Sequence, residues 1–151
     1  MDKQDGRAVT LWELSPVMEE ILRQGGEVRF VPHGGSMRPL VRGGRDAVIL
    51  RRADGPLQKY DCPLYRRADG SFVLHRVVAV RPDGYVLRGD SQTEVERGVQ
   101  DSQVCAVLAA VERDGRAVPC RGARYWLYCR LLPAIRLGRR AVGRLRRGAG
   151  R

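Results

Sequence analysis

Ser36 and His75 are the residues whose types and surroundings could do covalent chemistry. Ser36 follows a glycine pair in the run PHGGSMRP at positions 32–39, where glycine lets the backbone bend tightly and aim a hydroxyl outward. His75 comes 39 residues later in the apolar segment VLHRVV at 73–78. A serine becomes a nucleophile when a base takes its proton, and a nearby imidazole can do so at neutral pH. The plainer interpretation is a turn serine and a core histidine.

No lysine is well suited to be the base instead of His75. The chain has two lysines: Lys3 lies in a polar terminus, and Lys59 lies in a turn-rich polar stretch. A lysine acts as a base when burial lowers its pKa, and arginine stays protonated throughout. His75 is therefore the expected base. His33, three residues before Ser36, could approach the site, but its surroundings favour a loop residue.

Three short motifs occur in the order in which a known peptidase superfamily has them. The segment GGSMRPL at 34–40, followed by RGGRD at 42–46, resembles the serine box of the signal peptidase I and LexA-type peptidases. LHRVV at 74–78 is similar to the histidine box of the endoplasmic-reticulum and archaeal type of signal peptidase. LRGD at 87–90 resembles the acidic Gly-Asp box of that family. The resemblance covers about residues 27–111.

The resemblance implies a serine endopeptidase that cleaves a peptide or protein precursor by acyl transfer through Ser36 and His75. A carboxylate that orients the imidazole would complete the site, because it fixes the tautomer and stabilises the imidazolium. Asp90 matches the Gly-Asp box and is the first choice. Glu96 matches a later acidic position, where the related enzymes usually carry aspartate. Both carboxylates stay candidates from sequence.

The remaining site assignments concern the serine box itself. Some relatives carry a hydroxyl residue two positions before the serine, where this chain has Gly34. The oxyanion hole would then consist of the backbone N–H groups of Gly35 and Ser36. Met37 and Pro39 flank the nucleophile and are expected to bind substrate. No cofactor or metal is expected, because four cysteines and two histidines show no metal-site spacing.

The apolar pattern predicts a mainly β (α+β) fold, with an N-terminal helix and a basic C-terminal helical tail. We expect a helical segment at 1–26, a β-rich peptidase domain at 27–118 and an amphipathic tail at 119–151. The resemblance further implies a coiled antiparallel sheet. Asp-Gly turns separate the apolar runs. The predicted strands are Val28–Val31, Ala47–Leu50, Cys62–Tyr65, Phe72–Val80, Tyr85–Arg88 and Val104–Val111.

The N-terminal helix has two possible starts. Thr10 has capping-box spacing, and Ser15-Pro16 places proline at a first helical position. The helix is expected to end at Gly25-Gly26. Three apolar residues would share its buried face: Val17, Ile21 and Leu22.

Positive charge is concentrated at the C-terminus. The net charge is +11, and residues 121–151 contain ten arginines and no acid, so the first 120 residues are nearly neutral. Residues 124–147 are expected either to lie on an anionic membrane surface or to dock on their own domain, interrupted at Pro133. Nucleic acid is the less favoured partner. With no signal peptide and no long apolar run, we expect a cytoplasmic protein, peripheral at most to the inner membrane face.

Two alternatives to a peptidase that cleaves a separate precursor follow from the same residues. A LexA-like self-cleaving regulator fits poorly, because about 35 residues before the serine leave little room for a DNA-binding domain and the lysine base is missing. A non-enzymatic binding protein would use the basic tail alone. Retention of full function by Ser36→Ala would favour the second of these alternatives.

Overall fold

Two helices flank a set of antiparallel strands. The computed structural model describes residues 11–148, with side chains from 15 to 147. It confirms the α+β class, with a short N-terminal helix, two antiparallel sheets and a long C-terminal helix. In chain order the elements are α1 (Leu11–Arg23), β1 (Val28–Phe30), β2 (Ala47–Arg51), β3 (Pro63–Arg66), β4 (Phe72–Leu74), β5 (Arg76–Arg81), β6 (Gly84–Arg88), β7 (Glu96–Val99), a 3₁₀ turn (Asp101–Gln103), β8 (Val104–Arg113), β9 (Arg116–Pro119) and α2 (Gly122–Gly148).

Helix α1 begins at Leu11 and continues through Pro16, so the alternative start at Ser15-Pro16 is wrong. Thr10 lies outside the described residues. The predicted end is confirmed: Gly25 adopts a φ of +80°, and the Gly26 N–H donates to the Ile21 carbonyl at 2.9 Å. Glycine adopts this left-handed conformation without the strain a side chain would add.

The buried face of α1 differs from the predicted one. Met18 and Leu22 are each 3% exposed and pack on the first sheet, whereas Val17 is 58% exposed. Ile21 is also exposed. Residues four apart lie on one face of a helix, and the sheet contacts the Met18–Leu22 pair rather than the Val17–Ile21 pair. Apolar spacing alone could not choose between these two pairs.

The strands form two open sheets. The first has the order β1-β2-β8-β3-β4, with β9 pairing on the far half of β8, and the second has the order β5-β6-β7. Neither sheet closes or curls over the described residues, so the coiled sheet that the resemblance implied is not found. The physical reason is that the chain changes sheets at His75. Strands β7 and β9 were not predicted, because both are short and rich in charged or exposed residues.

The predicted strand Phe72–Val80 is divided at His75, which lies between β4 and β5. The His75 N–H donates to the Pro63 carbonyl at 3.3 Å, and the Val77 N–H donates to the Asp61 carbonyl at 2.8 Å. The backbone on both sides of the break is therefore hydrogen-bonded to residues 61–63. Two core clusters meet at β4, and Val73 of this strand packs with the cluster that also contains Val77. Leu74 packs with the cluster under α1, whereas Val77 packs with the cluster between the sheets.

Helix α2 docks on the domain through its first half, where Cys129 and Leu132 are buried. The helix runs unbroken through Pro133, so the predicted interruption is wrong. Packing at Leu132 and a 2.6 Å hydrogen bond from Arg136 Nε to the Asp90 carbonyl hold the turns around the proline. None of the helices within residues 11–148 combines the length and apolar character needed to cross a bilayer.

Candidate active site

Ser36 and His75 line one cleft, of about 660 Å³. Ser36 lies in the loop after β1, and His75 directly follows β4, so the two edge strands of the first sheet supply both residues. Ser36 is partly exposed, and His75 is buried. Within the described range the two side chains do not hydrogen-bond to each other.

The loop that carries Ser36 depends on a close glycine contact. Gly34 has a φ of +88°, and a Cβ at position 43 would lie 1.9 Å from the Gly34 carbonyl oxygen. The Gly44 N–H also donates to the Pro32 carbonyl at 2.8 Å. The loop therefore folds against itself so tightly that a side chain at position 43 would displace backbone.

A Gly43→Ala substitution is expected to lower the free energy of unfolding by about 1–3 kcal/mol, because the added methyl group overlaps backbone that has to move. Gly35→Ala is the matched control, since its Cβ would meet only the flexible Arg38 side chain at 3.7 Å. Urea titrations of both variants measure the effect. Equal loss of stability in the two variants would contradict the close contact.

Asp46, the last residue of the RGGRD motif, closes this loop from inside the protein. Its buried carboxylate accepts the Arg42 N–H at 2.9 Å and the Arg113 guanidinium at 2.6 Å. Burial alone would raise the pKa of Asp46, but the hydrogen bonds from Arg113 and Arg42 hold it well below its ordinary value. Asp46 is thus an anchor of the serine loop and lies outside the cleft.

The Gly-Asp box, through Gly89, and Ser91, which follows it, hold the same loop from the other side. Ser91 donates its N–H to the Ser36 carbonyl at 2.9 Å and its hydroxyl to the Gly35 carbonyl at 2.8 Å. Gly89 is required for this approach, because its Cβ would lie 2.7 Å from the Ser36 carbonyl oxygen. Among the hydrogen bonds of residues 15–147, none uses the N–H of Gly35 or Ser36. Those two donors remain available to an oxyanion.

The imidazole of His75 has a partner on its Nδ1 side. Nδ1 lies 3.3 Å from the Tyr65 hydroxyl and 3.9 Å from Glu96 Oε1. Arg67 forms a bidentate ion pair with the Glu96 carboxylate. Its Nε lies 3.1 Å from Oε2, and its Nη2 contacts Oε1. The hydrogen bond from Arg67 lowers the pKa of Glu96, so the carboxylate stays ionised.

This arrangement suits a general base. Burial lowers the pKa of His75, while the negative charge of Glu96 opposes that shift. The neutral ring that results can accept a proton near neutral pH. A carboxylate beside Nδ1 favours the tautomer with its proton on Nδ1, which leaves Nε2 free to act as the base. Of the two acidic candidates, Glu96 is the one whose carboxylate lies beside the imidazole.

Asp90 has other partners. Its carboxylate is fully buried and accepts two hydrogen bonds from Arg76, Nε to Oδ1 at 2.8 Å and Nη2 to Oδ2 at 2.7 Å. The Tyr128 hydroxyl of α2 donates to it at 3.0 Å. Asp90 makes no hydrogen bond or ion pair with His75, so the structure does not bring it to the imidazole.

The other sequence candidates divide between two cavities. Met37 is buried in the first core and lines the cleft, and the exposed His33 lines it as well. Pro39 instead lines a separate cavity beside Tyr125 of α2. Of the two residues predicted to bind substrate, Met37 lines the cleft with Ser36 and Pro39 does not.

Tyr65 and Arg67 are the site residues that sequence reasoning missed. Tyr65 ends a predicted strand, and Arg67 lies just before an Asp-Gly turn at 69–70. β3 pairs with β4 in a register that sets Tyr65 opposite Val73. This pairing places Tyr65 and Arg67 close to His75. Their spacing of two residues was the one available signal, because alternate strand residues share a face.

The cysteines have no part in this site. All four are free, and burial raises the pKa of Cys62 to about 12. Thiols in such surroundings are poor nucleophiles because little thiolate is present. No group of three or more His, Cys, Asp or Glu side chains within residues 11–148 has the arrangement of a metal site.

Comparisons with known proteins find no relative of this chain. No family model, curated protein or solved structure matches it. The resemblance to signal peptidases accordingly rests on the three short motifs. The chemistry of the cleft rests on its own geometry.

Proposed function

We propose that this protein is a serine endopeptidase of the signal-peptidase-like type, which cleaves a peptide or protein precursor by acyl transfer. The observation that carries the proposal is the shared cleft: Ser36 and His75 line it together, with Glu96 beside His75 Nδ1. A nucleophile, a base and a group that orients the base are the parts that acyl transfer needs.

The proposed reaction has two halves. His75 Nε2 takes the proton of the Ser36 hydroxyl as Oγ bonds to the scissile carbonyl carbon, and the oxyanion accepts hydrogen bonds from the N–H groups of Gly35 and Ser36. The imidazolium then gives its proton to the leaving amine as the C–N bond breaks. Water, deprotonated by His75, attacks the acyl-enzyme in the second half and releases the acid.

The cleft suits an extended peptide. Strands β1 and β4 are both edge strands of the first sheet, and residues of both line the cleft. The outer edge of such a strand offers backbone N–H and C=O groups to an added chain. Phe30, Phe72 and Leu74 line the cleft, so we propose that small or apolar side chains flank the scissile bond.

A peptide library tests this function. The full-length protein is expected to cleave a defined subset of unmodified peptides, and Ser36→Ala is expected to cleave none of them. Mass spectrometry of the products identifies both the rate and the motif. Equal cleavage by Ser36→Ala would contradict the assignment, whereas cleavage confined to this chain itself would favour the self-cleaving alternative.

A pH profile tests the role of Glu96. Because burial lowers the pKa of His75, the acid limb of the kcat/KM profile is expected below the ordinary histidine value of 6.5. Glu96→Gln removes a charge that raises this pKa, so the limb moves to still lower pH. The plateau is expected to fall by roughly 10² to 10⁴-fold, because the imidazolium loses its stabilising partner.

Glu94→Gln is the matched control, since Glu94 is an exposed carboxylate on the same segment. It removes one negative charge, as Glu96→Gln does. It is expected to change neither the pH of the acid limb nor the plateau value of kcat/KM. An acid limb that moves to higher pH in Glu96→Gln, or equal shifts in the two variants, would remove Glu96 from the site.

A further inference from the structure

Helix α2 has an apolar surface that faces away from the domain. Its docked side carries Tyr125, Cys129 and Leu132. At 100° per residue, the opposite half of the helix carries a set of exposed apolar side chains. We call this set the apolar stripe: Trp126, Leu127, Leu131, Leu137, Val142 and Leu145, all between 48% and 72% exposed.

The positive charge of α2 indicates which kind of partner the apolar stripe contacts. The helix contains eight arginines and no acidic residue, and most of them flank the stripe. Arg130 lies over the Trp126 ring, with its guanidinium carbon 4.7 Å from the ring centre. An apolar face bordered by arginines is typical of helices that lie in the interface of an anionic bilayer.

Two other occupants fit the apolar stripe less well. A second copy of α2 would bring sixteen arginines together without one acidic partner on either helix. Like charges that face each other across an interface oppose association. A nucleic acid would engage the arginines through its phosphates but leave Leu137 and Leu145 in water. A bilayer binds both features at once.

A cavity beside α2 gives a second, independent indication of an anion. This basic pocket, of about 330 Å³, lies between α2 and the second sheet and is lined by five cationic side chains: Lys59, Arg76, Arg88, Arg130 and Arg136. Arg76 is neutralised by Asp90, and no carboxylate lines the pocket to balance the other four. Within the described residues, Arg88 Nε is buried and has no hydrogen-bond partner.

The unpaired Arg88 N–H in this basic pocket is suited to an anionic acceptor. A buried donor left without an acceptor is unfavourable, and phosphate oxygens are the acceptors that arginine binds best. Arg130 and Arg136 belong to α2 and line the pocket, so a group bound there would contact the same helix that carries the apolar stripe. Arg130 joins the two features, because it lines the pocket and also lies over Trp126 of the apolar stripe.

We propose that α2 docks this protein on an anionic phospholipid surface, with the apolar stripe in the interface and a lipid phosphate in the basic pocket. The proposal is independent of the peptidase activity, since neither feature includes Ser36 or His75. It would keep the cleft close to a membrane in a chain whose described helices do not cross one.

Vesicle co-sedimentation of the full chain tests the surface. Binding to vesicles of phosphatidylglycerol and phosphatidylcholine in equal parts is expected to exceed binding to pure phosphatidylcholine at least tenfold, and salt is expected to reverse it. The double variant Leu137→Gln/Leu145→Gln should lose at least tenfold of this binding. These side chains are 70% and 72% exposed, so the fold does not depend on them. Val118→Gln, a 59% exposed position on β9, is the control that should bind normally.

The pocket is tested with Arg88→Gln. This variant is expected to lower binding to the anionic vesicles about fivefold, the typical effect of one basic residue at such a surface. Titration with inorganic phosphate alone separates the sources: weak phosphate binding that Arg88→Gln abolishes supports a headgroup site. Four results would overturn the proposal: equal binding to both vesicle types, normal binding by the double leucine variant, a dimer in sedimentation velocity, or binding of duplex nucleic acid without binding of vesicles.

Discussion

Ser36→Ala lowers the rate of peptide cleavage by at least about 10⁴-fold, His75→Ala lowers it as much, and the double variant is no worse than either. This is the expected result if the hydroxyl and the imidazole act as one unit, because either residue is ineffective without the other. The residual rate would come from binding and from the Gly35 and Ser36 N–H donors. The measurement is kcat/KM for a peptide that the library identifies.

The second histidine of the chain provides the control. His33 lines the same cleft but is exposed, and the structure gives it no ion pair. We expect His33→Ala to retain most of the activity. Thermal unfolding of each variant confirms that the fold is intact. Losses that multiply in the double variant, or a loss in His33→Ala as large as that in His75→Ala, would contradict the Ser36–His75 pair.

Arg76→Met lowers the free energy of unfolding by about 3–5 kcal/mol, because it leaves the Asp90 carboxylate buried and unpaired. Arg76 and Asp90 are 1% and 0% exposed, and their bidentate ion pair joins β5 to the turn after β6. Tyr128 connects the same carboxylate to helix α2. Arg76 also donates to the Tyr125 hydroxyl and to Cys129 Sγ. Urea unfolding followed by circular dichroism measures the loss.

Removing both the Arg76 and the Asp90 charge is expected to lower the free energy of unfolding less than removing the Arg76 charge alone. The double variant Arg76→Met/Asp90→Leu leaves no unpaired charge, and well-packed apolar pairs can replace buried ion pairs at little cost. Arg23→Ala breaks an exposed pair with Glu20 and should leave stability unchanged. A double variant less stable than Arg76→Met would show that the pair contributes more than the relief of a buried charge.

The sequence was most informative where backbone chemistry is local. Gly34-Gly35 before Ser36 indicated a tight turn, and in the structure a side chain at position 43 would displace backbone of the same turn. Asp-Gly turns and apolar runs predicted most strands of both sheets. Ser36 and His75 were chosen from their local settings, and the fold brings them to one cleft.

Long-range pairing was beyond the sequence. A single apolar strand at Phe72–Val80 is the simplest prediction, yet the chain changes sheets at His75, where β4 pairs with β3 and β5 pairs with β6. Asp90 and Glu96 were nearly equal candidates in sequence. Only the three-dimensional structure pairs Asp90 with Arg76 and brings Glu96 to the imidazole. Such partners are set by strand register, which no single segment encodes.

The most direct test is mass spectrometry of the intact protein after reaction with a fluorophosphonate, a probe that bonds to activated serine hydroxyls. We predict one adduct in the wild-type chain, mapped by peptide sequencing to Ser36, and none in folded His75→Ala over the same time. An adduct on another serine, labelling of Ser36 in His75→Ala at the wild-type rate, or an unlabelled wild type would contradict a serine activated by His75.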